Sequence, residues 1–387
     1  MINTVGKRCC GCAACSNTCP QTCISMVANE EGFNYPSINY DCCIQCGMCD
    51  VVCPALNRKS VEDVFYKNPI KTYAAVSLDR ESLENSSSGG VFSVLAEDVL
   101  SKGGYVFGAA FSEDFYTVNH IGIDKVEKLG ELQGSKYLQS EIGYTYQMCK
   151  QLLDKGTEVL FSGVPCQIAG LKRFLGKDYE SLTCVEVICH GTPSASVWQK
   201  YLESIEVRQG KTKSVSFRDK TVNWDSFGMR IESDRNEVLS EIHQANTYMG
   251  IFLRNFALRE SCYECPAKGD NTYADITLGD FWGLQNVCPE HYDEKGVSVV
   301  AVHTEKGQKA IDRISGKLVL HETDPVKSLE DNWIIYRPVS RPEKRDSFYT
   351  DLRKKTWREI ENKYLDDRTM TQKFIDYLRR IKRVIFN

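Results

Sequence analysis

The chain lacks any long apolar run. No segment approaches the roughly 18 uninterrupted apolar residues that a membrane span requires, and Met1 to Arg8 hold no apolar signal core. We therefore expect a protein that neither spans a membrane nor is secreted, with a cytoplasmic location. Positive charge is not in excess either. With 48 Lys+Arg against 52 Asp+Glu and a formal net charge of -4, no global basic field is available to hold a nucleic-acid backbone, so no nucleic-acid partner is expected. The composition is also unlike that of a disordered chain: 42% of the 387 residues are hydrophobic and 26% charged, which suits two or three folded domains.

Cysteine is abundant. Of the 18 cysteines, eleven fall between Cys9 and Cys53, and reduced thiols at that density are normally metal ligands. Their spacing is Cys9-x2-Cys12-x2-Cys15-x3-Cys19-Pro20, repeated as Cys43-x2-Cys46-x2-Cys49-x3-Cys53-Pro54, the pattern of a bacterial ferredoxin with two 4Fe-4S clusters. Three thiolates in a tight loop cover one face of the cube, and the fourth comes from the other half. That exchange assigns Cys9, Cys12, Cys15 and Cys53 to one cluster and Cys43, Cys46, Cys49 and Cys19 to the other. Cys10 and Cys42 are then spare, and Cys23 is read as buried filler. Gly11, Ala13, Ala14 and Gly47 let backbone amides approach the sulfurs. The competing readings are two zinc sites or a disulfide knot. Zinc sites usually pair two cysteines with a second distant pair, whereas here each three-cysteine run closes on Cys-Pro.

Beyond the cysteines, polar residues at 57–60 suit a linker, with a boundary near residue 65. The pattern then alternates, with strands expected at 73–77, 105–111, 158–161 and 182–188 and helices at 91–100, 141–155, 168–174 and 194–204. β-type stretches separated by polar turns follow at 214–218, 227–232 and 237–240. Strands at 275–278 and 297–303 and a helix at 306–314 return to the alternation. The expected fold class is an α+β ferredoxin-like two-cluster N-terminal unit, then an α/β body with an antiparallel β excursion. The expected divisions are 1–65 for the ferredoxin-type domain, 66–155 and 156–335 for the two parts of the body, and 336–387 for a helical, basic tail.

Several constellations in the body carry candidate chemistry. Asn85 to Val91 is a Gly/Ser loop entering an apolar helix, with Ser88, Gly89 and Gly90 presenting amides and hydroxyls at a positive helix end. It serves either as a phosphate or flavin loop or simply as a helix cap. A second loop holds Lys136, Tyr137, Gln139 and Ser140, and its bland reading is a solvated loop. Gly163, Pro165, Cys166 and Gln167 end one apolar strand; Cys189 and His190 end the next; Cys262 and Cys265 form a Cys-x2-Cys pair. Ligands of open α/β sheets collect at such strand ends. Cys166, Cys189, Cys262 and Cys265 are a candidate third metal set. A redox dithiol, half a zinc site, a Cys166 nucleophile with His190 as base, or inert packing are its alternatives. After the acid Asp280, the aromatic pair Phe281 and Trp282 either covers a cluster or planar ring or fills a core.

Taken together, Ser88-Gly89-Gly90, Ser135-Lys136-Tyr137, Gly163-Val164-Pro165-Cys166-Gln167, Cys189-His190-Gly191, Cys262-Tyr263-Glu264-Cys265 and Ala274-Asp275-Ile276-Thr277 with Gly279-Asp280 resemble the coenzyme F-420 hydrogenase/dehydrogenase beta-subunit family. The likeness runs from about Cys9 to about residue 330. It implies an FAD and a 4Fe-4S cluster in the α/β body behind a ferredoxin-type unit. It also makes Ser88, Gly89, Gly90, Lys136, Tyr137, Gln139, Ser140, Gly163, Pro165 and Gln167 candidate cofactor-binding residues.

The function expected from these observations is an iron–sulfur flavoprotein oxidoreductase. FAD would convert between the one-electron clusters and a hydride-exchanging small molecule, either the deazaflavin F-420 or an unidentified metabolite. Lys136 is the first candidate for polarising flavin or substrate and His190 a proton source. The partners expected are an external one-electron protein and the small molecule. The rival readings are an electron-transfer subunit with no organic substrate of its own and a zinc-binding structural protein. From Phe374 onward, Phe374, Leu378, Ile381 and Ile385 recur at helical spacing beside Arg379, Arg380, Lys382 and Arg383. That helix either packs on the body or makes weak contact with an anionic membrane surface.

Overall fold

The computed structural model describes residues 2–57, 69–221, 223–269 and 272–365. In chain order its strands are β1 (Ile24–Ala28), β2 (Asn34–Ile38), β3 (Lys71–Ser77), β4 (Tyr105–Phe111), β5 (Val118–Ile123), β6 (Ser140–Glu141), β7 (Val159–Gly163), β8 (Leu182–Val187), β9 (Thr212–Asp219), β10 (Gly228–Ser233), β11 (Val238–Ile242), β12 (Ile276–Asp280), β13 (Ser298–Val302) and β14 (Leu318–Thr323).

The body is a mixed α/β unit around one nine-stranded sheet, ordered β14-β3-β13-β12-β8-β7-β4-β5-β6. Its centre, β12-β8-β7-β4, is parallel, while β13, β3, β14 and β5 join by antiparallel pairing. Adjacent residues of a strand face opposite sides of a sheet. Val106 and Leu160 accordingly pack beneath helices Val91–Ser101 and Glu305–Ile314, whereas Phe107 and Phe161 pack beneath Thr145–Asp154 and Pro165–Leu175. Burial on both faces explains why these strands read as continuous apolar runs. The β-type excursion forms a separate antiparallel sheet, β11-β10-β9.

The helix expected at 141–155 starts only at Thr145. Ser140 and Glu141 pair with β5, and Gly143 takes a left-handed φ of 55°, which interrupts the helical path. β5 and β14 were not expected. Both are short edge-region strands with mixed polarity, so their alternation is weak without the sheet that pairs them.

The segment from 336 is not a free tail over its described part. Helices Arg345–Lys354 and Trp357–Tyr364 bury Phe348, Tyr349, Leu352, Trp357, Ile360 and Tyr364 in the same core as Trp198, Phe217 and Tyr248. The second helix opens on a capping box between Thr356 and Glu359. The boundary near residue 65 and the basic stripe from Phe374 lie outside the described residues. Among the described residues no helix is long and apolar enough to cross a membrane.

Phe348 is fully buried, so Phe348→Ala is expected to lower stability by about 3–5 kcal/mol, read as a fall in the denaturant midpoint. An unchanged midpoint would detach these helices from the core.

Candidate functional site

The first cysteine run folds as a loop that closes on helix Ala14–Thr18, and the second closes on helix Met48–Val51. The residue before each helix is left-handed, Ala13 at φ 57° and Gly47 at φ 74°. Cys9, Cys15, Cys23 and Cys53 share a buried cluster, with Cys19, Cys43 and Cys49 packed against it. Cys12 faces the body instead: a Cβ on Gly170 would lie 3.0 Å from its Sγ. Cys23 is buried in that cluster, with its sulfur 3.3 Å from that of Cys19. Cys42 and Cys46 are exposed.

The unit is docked tightly on the body. Asn17 Nδ2 donates to Gly143 O at 2.8 Å and Gln147 Nε2 to Asn17 O at 2.8 Å. The hydroxyls of Ser194 and Ser196 both donate to Glu31 O. Gln139 Nε2 donates to Cys10 O at 3.0 Å, and Arg259 Nε to Cys9 O at 2.6 Å.

Parallel neighbours β7 and β8 end side by side, and the residues following them deliver Cys166 and Cys189 to one cavity. The 3-10 helix Glu260–Glu264 and the residue that caps it bring Cys262 and Cys265 to the same cavity. Pro165, His190, Thr192, Ser261 and Lys268 complete the wall, together with Cys10. Cys10, expected to be spare, is therefore a fifth thiol of the body's cavity, contributed by the N-terminal loop. Its sulfur is held well below the usual thiol range by hydrogen bonds from Cys12 and Cys166. Burial pushes the Cys189 thiol up to about 11 and Cys265 up to about 12. Thr192 N and Oγ1 lie 3.5 and 3.6 Å from Cys262 Sγ.

His190 stands beside this cavity. Its Nε2 pairs with Asn255 Oδ1 at 2.7 Å and its ring meets Phe252 edge-on. An amide oxygen only accepts, so Nε2 carries the proton, and burial holds the ring below its ordinary value. The other candidate, Lys136, does not line this cavity. Its Nζ donates to Glu131 O and Gln133 O, and burial pushes its ammonium down to about 7.

The candidate cofactor residues fall into separate places. Ser88 Oγ donates to Val297 O, and Gly89 N donates to Ser298 Oγ at 2.9 Å, so that amide is not free as expected. A Cβ on Gly89 would stand 2.1 Å from Ala75 O, and Gly90 takes a left-handed φ of 82°. Close packing on β3 thus accounts for the glycine pair. Tyr137 stacks on Phe252 and meets Phe217 edge-on. Ser140 and Gln167 form an internal network in which Gln167 Nε2 donates to Ser140 Oγ and His120 Nδ1 pairs with the same hydroxyl. Gly163 packs on Gln167 and His120.

Around Ser88 the structure gathers residues that sequence reading passed over. Lys220 Nζ donates to Leu83 O and Ser88 O, and burial followed by the nearby Arg218 pushes it down to about 7. Arg218 Nη2 donates to Asp280 Oδ1 at 3.0 Å and to Ser87 O at 3.2 Å. Its Nε is buried without a hydrogen-bond partner. Ser135 N donates to Ser87 Oγ at 2.7 Å. Trp224 Nε1 donates to Asp280 Oδ1, and the Trp224 and Trp282 rings stack at 5.2 Å, whereas Phe281 is core. Arg218 and Lys220 sit in a charged stretch ending β9, ordinarily a solvated face. The adjacent Trp224 was the available signal that this face is covered.

The class this defines is a mixed α/β body in which Cys166 and Cys189 follow the C-terminal ends of neighbouring parallel strands. Residues 156–328 match the family described as the C terminus of the coenzyme F420 hydrogenase/dehydrogenase beta subunit. No curated protein matches the sequence. Thirteen solved chains match. One comes from the F420-reducing NiFe hydrogenase complex of Methanosarcina barkeri, with a TM-score of 0.47 and 17% identity, covering 68% of this chain and 85% of that one.

Gly11 and Gly47 both have left-handed φ, 71° and 74°, but a Cβ on Gly11 would lie 2.6 Å from Gln139 Nε2 and 2.9 Å from Arg259 Nη1, while Gly47 has open space. Gly47→Ala is therefore expected to cost about 1–2 kcal/mol from backbone conformation alone. Gly11→Ala should cost about 1–3 kcal/mol more through crowding. Equal losses in denaturant unfolding would refute the close docking of this loop.

Proposed function

We propose that the chain is an iron–sulfur flavoprotein oxidoreductase whose N-terminal thiols hold two 4Fe-4S clusters, whose body thiols hold a third, and whose loops around Ser88 and Arg218 hold FAD. The observation that carries it is the cavity lined by Cys10, Cys166, Cys189, Cys262 and Cys265 beneath the N-terminal cysteine loop.

The donor chemistry supports clusters over zinc. Four thiolates on one zinc stand about 3.8 Å apart, given a Zn–S bond of about 2.3 Å. Among the described residues no three cysteine sulfurs lie within 4.8 Å of one another, and the one group with that spacing is Glu290, His291 and His321. Thiols spread around a cavity suit a larger cofactor. Flavin binding is supported by Lys220 and Lys136, buried ammoniums that meet only carbonyl oxygens in their hydrogen bonds, and by the unpartnered Arg218 Nε. Desolvated cations without an acid favour an anionic ligand.

When bound, the flavin exchanges a hydride pair with the organic substrate and passes electrons singly, while each cluster carries one. The protein's own part is electrostatic. Lys220, Lys136 and Arg218 attract the cofactor's negative charge, Asp280 orients Arg218, and stacked Trp224 and Trp282 shield the loop from water. His190 holds a proton at Nε2 beside the thiol cavity. The substrate is the deazaflavin F-420 or an unidentified metabolite, and a one-electron protein is the external partner.

Three clusters imply about twelve irons per chain, and Cys262→Ser should remove about a third of them. Iron near eight, unchanged by that substitution, would dismiss the body cluster. The lysines add a pH signature. Lys220 titrates near 7 in the folded chain, well below its usual range, because burial disfavours the charge. An anion beside it favours the ammonium, so binding takes up protons and tightens as pH falls through about 7. Flavin retention should follow that trend, and Lys220→Met should flatten it. The same profile in wild type and variant would remove Lys220 from the site.

A further inference from the structure

Among the described residues two arginines are fully buried, and the fold treats them differently. Arg345, 1% exposed, donates to both carboxylate oxygens of Glu31 at 2.9 and 2.7 Å and lies 3.1 Å from Glu260. Arg259, 0% exposed, has no carboxylate within 4.0 Å among the described residues. Its three nitrogens donate to Cys9 O at 2.6 Å, Gln139 Oε1 at 3.0 Å and Asn34 O at 2.8 Å, and its guanidinium lies over Tyr35 at 4.3 Å and Phe33 at 5.3 Å.

Neutral acceptors meet each of the three guanidinium nitrogens, and ring faces meet part of its charge. They supply no anion, and a desolvated cation is costly without one. Negative charge can come from the loop it grips, since Arg259 Nε bonds the carbonyl of Cys9 itself. Gly11 has no side chain in the place where a Cβ would meet Arg259 Nη1. The cysteine loop and the arginine are therefore shaped to each other.

We propose that Arg259 is the built-in countercharge of the cluster ligated by Cys9, and that it raises the reduction potential of that cluster. The inference rests on the iron–sulfur reading above. Reducing such a cluster adds one electron and makes the cube and its four thiolates more negative by one charge. A fixed cation in a low-dielectric surrounding stabilises that reduced state more than the oxidised one. Arg259 comes from the body, so it places the electron-attracting charge at the end of the ferredoxin unit that faces the body's thiol cavity. It acts as a positioning residue: it touches the backbone of the ligand loop and works through its charge.

The test is an EPR-monitored redox titration of the full chain, prepared anaerobically as wild type, Arg259→Gln and Arg259→Lys. Arg259→Gln should move one midpoint potential to a more negative value and leave the others in place, and Arg259→Lys should keep it near wild type. Unchanged midpoints in Arg259→Gln, or an equal shift in both variants, would overturn the proposal. If Arg259→Gln loses about a third of the iron while Arg259→Lys retains it, the same charge requirement is met. Loss in both variants assigns Arg259 to packing alone. A wild type without any reducible cluster signal would overturn the iron–sulfur reading itself, before either variant is compared.

Discussion

Cys9 and Cys10 are consecutive residues whose carbonyls are held from the body by Arg259 and Gln139, which also bond each other. That grip decides where the two thiols go. Cys9 joins the buried cluster with Cys15 and Cys53, and Cys10 enters the cavity of Cys166, Cys189, Cys262 and Cys265. A single peptide link thus separates the two thiol sets. Because the grip depends on a buried cation in contact with backbone oxygens, it depends in turn on Gly11, on the Glu31–Arg345 pair that anchors the following hairpin, and on the aromatic faces of Phe33 and Tyr35.

The parallel centre of the sheet organises the remainder. Strand ends β7 and β8 lead into the cysteines, while β12 ends at Asp280 beside the loop that carries Ser88. The strands that lead to Cys166 and Cys189 and the strand that ends at Asp280, the partner of Arg218, are parallel neighbours, so these groups lie at one end of one sheet. Lys136 and Lys220 show the electrostatic cost of that layout, since burial holds both ammoniums near 7. The burial that makes each of them costly by itself makes it effective toward an anion, because the same low dielectric strengthens the attraction.

Much of the architecture was legible from one dimension. Periodicity located the strands of the parallel centre and the helices between them, because a strand buried on both faces must be apolar throughout and a covering helix must carry a stripe. The spacing of the cysteines likewise carries its own chemistry, because a tight loop presenting three thiols is a local property. Edge strands β5 and β14 were illegible. Their half-exposed, mixed sequences become strands only when a neighbour supplies hydrogen bonds, and the aromatic residues of the helices beyond residue 345 likewise gain meaning only from Trp198 and Tyr248.

The sequence by itself determined the paired cysteine runs, the α/β alternation and the placing of Cys166 and Cys189 at successive strand ends, all features set by short-range spacing. Only the tertiary structure decided that Cys10 belongs to the body's cavity and Cys23 beside Cys19, that Gly89 is a packing glycine, and that Arg218, Lys220 and Arg259 are buried rather than solvated. The physical reason is common to all of them. A charge or a thiol takes its character from what surrounds it, and these surroundings are assembled from segments as far apart as Cys9 and Arg259, whose contact spans 250 residues of chain.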